Sequence, residues 1–167
     1  KIQAMSFLNF NWNNQQNALS ALTDQLNHKL ARHGFQRKGK REWERDRGWI
    51  VEAIYLSVKQ APSWIFDPHL IVYLPYHPVD TNEPRVIFAE DNAAKFIGHD
   101  SAFVKLPKYS FVITRFVRKT LGEIENSLAW FEKFDTPEKC FAMVDALHKP
   151  GCSYHTWSTD YFTSILK

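Results

Sequence analysis

Apolar positions along the chain recur first with a helical period and then with a strand period. Leu19, Leu22, Leu26 and Leu30 fall three and four residues apart, which predicts an amphipathic helix over 14–33. Gly34 stands where a left-handed cap would close it. From Phe35 the spacing drops to two. Phe35 to Trp43 predicts one strand with a solvated face, Asp46-Arg47-Gly48 a turn, and Trp49 to Lys59 a second strand, together an antiparallel hairpin. In the second strand Trp49, Val51, Ala53 and Tyr55 share one face. Ile50, Ile54, Leu56 and Val58 lie on or near the other, the pattern of a central strand covered on both sides.

The next strand is expected over 69–76, between Pro68 and Pro75. Within 79–107 the pattern weakens to a short strand at 85–89, a helical turn at 91–96 and a strand at 102–106, with long loops between. Helical spacing returns after Pro107. Ile113, Phe116, Val117, Leu121, Ile124, Leu128 and Phe131 trace one side of a helix over 111–134, with Gly122 weakening its middle. Thr136-Pro137 is a start signal for a helix carrying Cys140, Phe141, Val144 and Leu147 inward and ending before Pro150-Gly151. A last short helix over 160–166 is capped by Ser158 or Thr159. Helix, antiparallel strands, then helices define an α+β fold: an antiparallel β-meander with an N-terminal helix and C-terminal helices packed on the sheet. Residues 5–167 read as one domain, with Lys1 to Ala4, ahead of Met5, set apart as an appended tail.

Composition narrows the class. With 167 residues there is room for one domain. Thirteen Phe and six Trp supply enough large apolar area for a real core. Two cysteines, Cys140 and Cys152, are too few for a disulfide scaffold, so both are expected unpaired in a reducing compartment. No apolar run approaches a membrane span and the N-terminus lacks a signal-peptide pattern, which makes the expected location cytoplasmic and a membrane partner unexpected.

Two segments carry a family likeness. Leu30-Ala31-Arg32-His33-Gly34-Phe35-Gln36-Arg37-Lys38-Gly39 is followed by Trp43 and a strand ending at Gln60. Far downstream comes Leu128-Ala129-Trp130-Phe131-Glu132-Lys133-Phe134-Asp135-Thr136-Pro137-Glu138. This arrangement resembles the bacterial family called domain of unknown function 4304, over residues 20–147. The resemblance implies a fold and a bacterial origin, and no activity. By analogy, small bacterial domains of this general look occur beside toxin genes as immunity proteins.

Catalytic signatures are absent: no phosphate-binding Gly-rich loop, no Gly-x-Ser-x-Gly elbow, no His-Glu-x-x-His and no Cys-x-x-Cys. The basic stretch Arg37, Lys38, Lys40, Arg41, Arg45 and Arg47 is interleaved with Glu42, Glu44 and Asp46. On one strand, Arg37 and Arg41 would face with Phe35 and Trp43, and Lys38 and Lys40 the other way. A solvated, charge-protected hairpin is the preferred reading over an anion or nucleic-acid site, and the net charge of +3 adds no pressure toward nucleic acid.

His69 and His77 would sit roughly 26 Å apart on a continuous strand and cannot share a metal. Asp67-Pro68-His69 sets a carboxylate beside an imidazole, as a general base needs, although an ordinary turn is the simpler account. His148, Cys152 and His155, with Cys140 or Asp145, are zinc-type ligands without a zinc-type spacing. Neither metal nor cofactor is expected.

The aromatic set Trp43, Trp49, Tyr55, Trp64, Tyr73 and Tyr76 is concentrated in the strand region, mainly for packing. Trp64, on a loop between prolines, is the expected contact residue. Two functions follow. The first is a non-enzymatic protein-binding module, of an immunity or regulatory kind, using the sheet edge and the Trp64 loop. The alternative is a small-molecule-binding protein or enzyme with a pocket between sheet and helices lined by Trp49, Tyr55, Tyr73 and His69.

Overall fold

The computed structural model of the chain describes residues 12–59, 65–75, 85–93 and 104–167. Helix α1 spans Trp12–Arg32 and ends as the pattern predicts. Gly34 adopts φ +83°, and the Phe35 and Gly34 amides donate to Leu30 O and Ala31 O at 3.0 and 3.1 Å. This paired 6→1 and 5→2 closure is the Schellman cap. Leu22, Leu26 and Leu30 are buried by it and Leu19 packs alongside.

The predicted first strand is in fact two. β1 (Gln36–Gly39) turns at Lys40-Arg41 into β2 (Glu42–Asp46), which turns again into β3 (Val51–Lys59). The charges that suggested one long solvated strand lie partly in its turn. β4 (Ile65–Leu74) and β5 (Val86–Asn92) continue the meander in the order β1-β2-β3-β4-β5, and β6 (Val104–Lys105) pairs with β4. All pairings are antiparallel.

β4 starts earlier than expected and passes straight through Pro68, which stands opposite Leu56. The Leu56 amide donates to Arg41 O in the turn before β2, so Leu56 and Pro68 form a non-hydrogen-bonded pair. The position of the donor that proline lacks therefore points away from β3. On that side, among the described residues, β6 pairs with Ile65 and Phe66, and the pairing with β5 starts at His69, opposite Asn92. Among the described residues, proline falls in a gap of the ladder between β6 and β5, where no ladder hydrogen bond is lost. Asp91 and Asn92, expected in a helical turn, close β5 instead; residues 94–96 of that expectation lie outside the described residues. Of the strand expected at 102–106, β6 covers Val104 and Lys105, and residues 102 and 103 lie outside the described residues.

The expected helix over 111–134 is a 3₁₀ turn (Ser110–Val112), then α2 (Ile113–Ser127), then a 3₁₀ segment (Leu128–Phe134). The Ser127 hydroxyl donates back to Ile124 O at 2.6 Å, a bond that competes with the regular ladder. Beyond it Leu128, Phe131 and Phe134 recur at strict threes, which a 3₁₀ helix stacks on one side and an α-helix would fan apart. All three join the core.

Thr136 caps α3 (Pro137–Ala142), accepting from the Lys139 amide at 3.3 Å. A break at Met143 leads to α4 (Val144–Leu147). Cys140 and Val144 point inward as expected, but Phe141 and Leu147 are exposed, because the break ends the shared stripe. The last helix, α5, runs Ser153–Ile165, longer than expected. Its cap is Cys152, whose Sγ accepts from the His155 amide at 3.4 Å; Ser158 is buried within the helix.

Trp43, Ile54, Leu56, Phe66, Leu70, Val72 and Phe88 share one core with residues of all five helices. Phe88 meets Phe134 and Phe162 edge-on at 6.1 and 5.3 Å. β3 is the central strand, as predicted, but among the described residues helices cover only one face of it.

Candidate functional site

Strand register turns the face that no described helix covers into a grid. One row across β2, β3, β4 and β5 is Glu42, Tyr55, His69 and Asn92. The next is Glu44, Ala53, Ile71 and Glu90, and the third is Asp46, Val51, Tyr73 and Ile87. Ser57 and Asp67 stand opposite each other beyond the first row. Alternation puts these side chains opposite the core residues. Val51, Ala53 and Ile71 are buried and form an apolar floor. The grid places Tyr55, Tyr73, Glu44 and Glu90 around it. Tyr55 is 40% exposed and Ile87 45%.

His69 lies near the middle of this face. Its Nδ1 is 2.7 Å from Glu90 Oε1, its Nε2 is 3.3 Å from Asp67 Oδ2, and the Tyr55 ring packs beside it with centroids 6.3 Å apart. The Asn92 amide donates to Asp67 Oδ1. Asp67 and His69 share a strand face two residues apart, so the carboxylate–imidazole neighbourhood anticipated in the sequence forms, within a strand and not in a turn. Both ring nitrogens thus face a carboxylate oxygen, Glu90 at Nδ1 and Asp67 at Nε2. The cluster ties β4 to β5 across this face.

Across the grid, Arg85 donates to Glu44 and stands over the Tyr73 ring at 5.9 Å. Burial, followed by Glu42 and Glu44, raises the Tyr73 phenol above its ordinary pKa, keeping it a neutral donor. Five carboxylates, Glu42, Glu44, Asp46, Asp67 and Glu90, share this side with Lys38, Lys59 and Arg85. Among the described residues this face carries more carboxylates than cations, although the chain is net positive.

The other proposed site residues separate. Trp43 is wholly buried on the helix side, its indole donating to Asn27 Oδ1 at 3.3 Å, and cannot touch a partner. Trp49 leaves the face it was assigned to. It lies in the turn before β3 and packs on the core, with its indole donating to Phe134 O at 3.4 Å. The expected pocket joining Trp49 to Tyr55, Tyr73 and His69 is therefore split by the sheet itself. Arg37 pairs opposite Trp43 on the helix side, and Lys40 and Arg41 occupy the hairpin turn beside it; Lys40 does not point away from Arg37. Trp64, Tyr76 and His77 lie outside the described residues.

Around the C-terminal histidines, no group of three His, Cys, Asp or Glu side chains among the described residues is placed to hold a metal. His155 Nε2 pairs with Asp145 Oδ1 at 2.7 Å, Cys152 caps α5, and Cys140 is buried in the core. Both cysteines are free.

The roles of Glu90 and Asn92 were missed because 79–107 showed no clear period. Glu42 was read only as an offset to basic neighbours. Their positions follow from strand register across β2 to β5, which no local pattern carries. None of the described helices is long and apolar enough to cross a membrane. No family model matches the chain, and neither does any curated protein or solved structure.

Proposed function

We propose that this chain is a non-enzymatic protein-binding module, of a regulatory or immunity kind, that docks a partner on the uncovered face of its sheet. The observation that supports this is the grid itself: exposed Tyr55 and Ile87 flank a buried apolar floor and are surrounded by carboxylates. Aromatic anchors on a rigid strand scaffold lose little conformational entropy on binding. The excess of Glu and Asp selects a partner that presents Lys or Arg, and steers its approach.

The test is affinity capture with the parent protein and with Tyr55→Glu/Ile87→Glu, followed by binding measurements with the purified captured protein. Both side chains are exposed, so the fold tolerates the change. The expected result is a partner with a basic surface whose binding weakens at least about thirtyfold in the variant, as loss of a hot spot does, and weakens as salt rises. A captured protein that binds parent and variant equally would remove the face from consideration.

A further inference from the structure

On the opposite side of the β1–β2 hairpin, a cleft of about 400 Å³ opens between the turn and α1. Gln16, Ser20 and Asp24, spaced at i, i+4 and i+8, form one polar row of the helix wall, and Arg37, Lys40 and Arg41 form the facing wall. The volume falls within the usual range for a small-ligand site, about 300–1,000 Å³.

Arg37 is held in place. Its Nε donates to Gly39 O at 3.0 Å and its Nη2 to Lys40 O at 2.7 Å, which pins the turn and leaves three of its five N–H groups unused. Among the described residues the Lys40 and Arg41 side chains have no hydrogen bond and no ion pair, and the single carboxylate in the cleft, Asp24, has none either. Three cations against one carboxylate, in a concave wall, concentrate positive potential that the fold does not neutralise. Surface cations placed only for solubility need not gather around a cleft; these do so because the turn falls at 40–41.

We infer that this cleft is a binding site for a phosphate monoester with a hydroxylated body, of the size of a nucleoside monophosphate. The phosphate sits among Arg37, Lys40 and Arg41, where planar and point-charge donors complement its oxygens. The hydroxyls of the body reach Asp24, Ser20 and Gln16. The inference is independent of the sheet-face reading, since the two sites lie on opposite sides of the hairpin.

The experiment is isothermal titration of the full chain with AMP, with inorganic phosphate and with adenosine, at low and moderate salt. The comparison protein is Lys40→Ala/Arg41→Ala, whose side chains pack in no core; its unfolding midpoint serves as the fold control. Arg37 is left intact because it holds the turn. The expected result is saturable one-to-one binding of AMP, weaker binding of phosphate, none of adenosine, and at least about a tenfold loss in the variant. Affinity should also fall with added salt. The inference is overturned if neither AMP nor phosphate binds saturably, if adenosine binds as well as AMP, or if the variant binds as well as the parent.

Discussion

Glu52 gives the sharpest test of how the hairpin is joined to α1. Its side chain is fully buried on the helix side of β3, beyond the apolar stripe. Arg45 donates to it from β2, and Arg47 Nε lies 3.3 Å from both of its oxygens. Arg45 also donates to His33 O at 2.7 Å, at the end of α1, and stacks over the Phe35 ring at 4.6 Å. One carboxylate therefore anchors the guanidinium that joins helix end, hairpin and core.

Removing one member of a buried pair leaves uncompensated charge and costs about 3–5 kcal/mol. Arg45 and Arg47 keep some solvent contact, which favours the lower end of that range. Glu52→Ala should thus lose about 3 kcal/mol. With a urea dependence of about 2 kcal/mol per molar, the midpoint falls by about 1.5 M. Glu52→Gln, which keeps volume and an acceptor, should fall between parent and Ala.

Glu125 is the control, since it too has two basic partners, Lys29 and His33, but is 38% exposed. Those partners hold its carboxyl below the usual range, yet an exposed pair is worth at most about 1 kcal/mol, so Glu125→Ala should barely move the midpoint. Urea unfolding followed by tryptophan fluorescence measures both. Equal shifts for Glu52→Ala and Glu125→Ala would refute the claim that burial, and not the number of partners, sets the cost.

Three further outcomes are expected. Gly34→Ala forces a side chain into φ +83° and should lose about 1–2 kcal/mol, whereas Gly122→Ala, whose new Cβ meets nothing within 4 Å, should gain up to about 1 kcal/mol; urea midpoints moving the same way for both would contradict this. Burial pushes the Cys140 thiol up to about 12 from 9.0 and the Tyr161 phenol, which donates to Trp49 O, up to about 12 from 10.0. Both folded values are raised, so their contribution is complete below pH 9 and is lost as pH climbs toward 12; a midpoint unchanged across that window would contradict it. In native protein a thiol reagent should label Cys152 promptly and Cys140 only on unfolding, with two thiols per chain in denaturant; prompt double labelling would show that Cys140 is not enclosed.

What local chemistry could decide was legible in the chain. The Leu19 to Leu30 stripe and Gly34 specify α1 and its cap, because helix period and a positive φ are local requirements. Thr136-Pro137 specifies the start of α3 for the same reason. Alternation in 51–58 assigned the apolar side chains of β3 and Tyr55 to their observed faces, and the α+β order followed. Elsewhere the decision lay with partners distant in sequence. Pro68 reads as a strand boundary until the gap between β5 and β6 is known. Cys152 is no usual cap, and it acts as one because the Pro150-Gly151 turn delivers it there.

The candidate site shows the same division. Asp67 and His69 were visible as neighbours, but Glu90 and Asn92 reach them only through the pairing of β4 with β5. Trp43 and Tyr55 looked alike as strand aromatics. Tertiary structure buried one and exposed the other, because helices cover one side of a sheet whose two sides each carry apolar residues. A pattern of period two says which residues share a face; only packing says which face meets water.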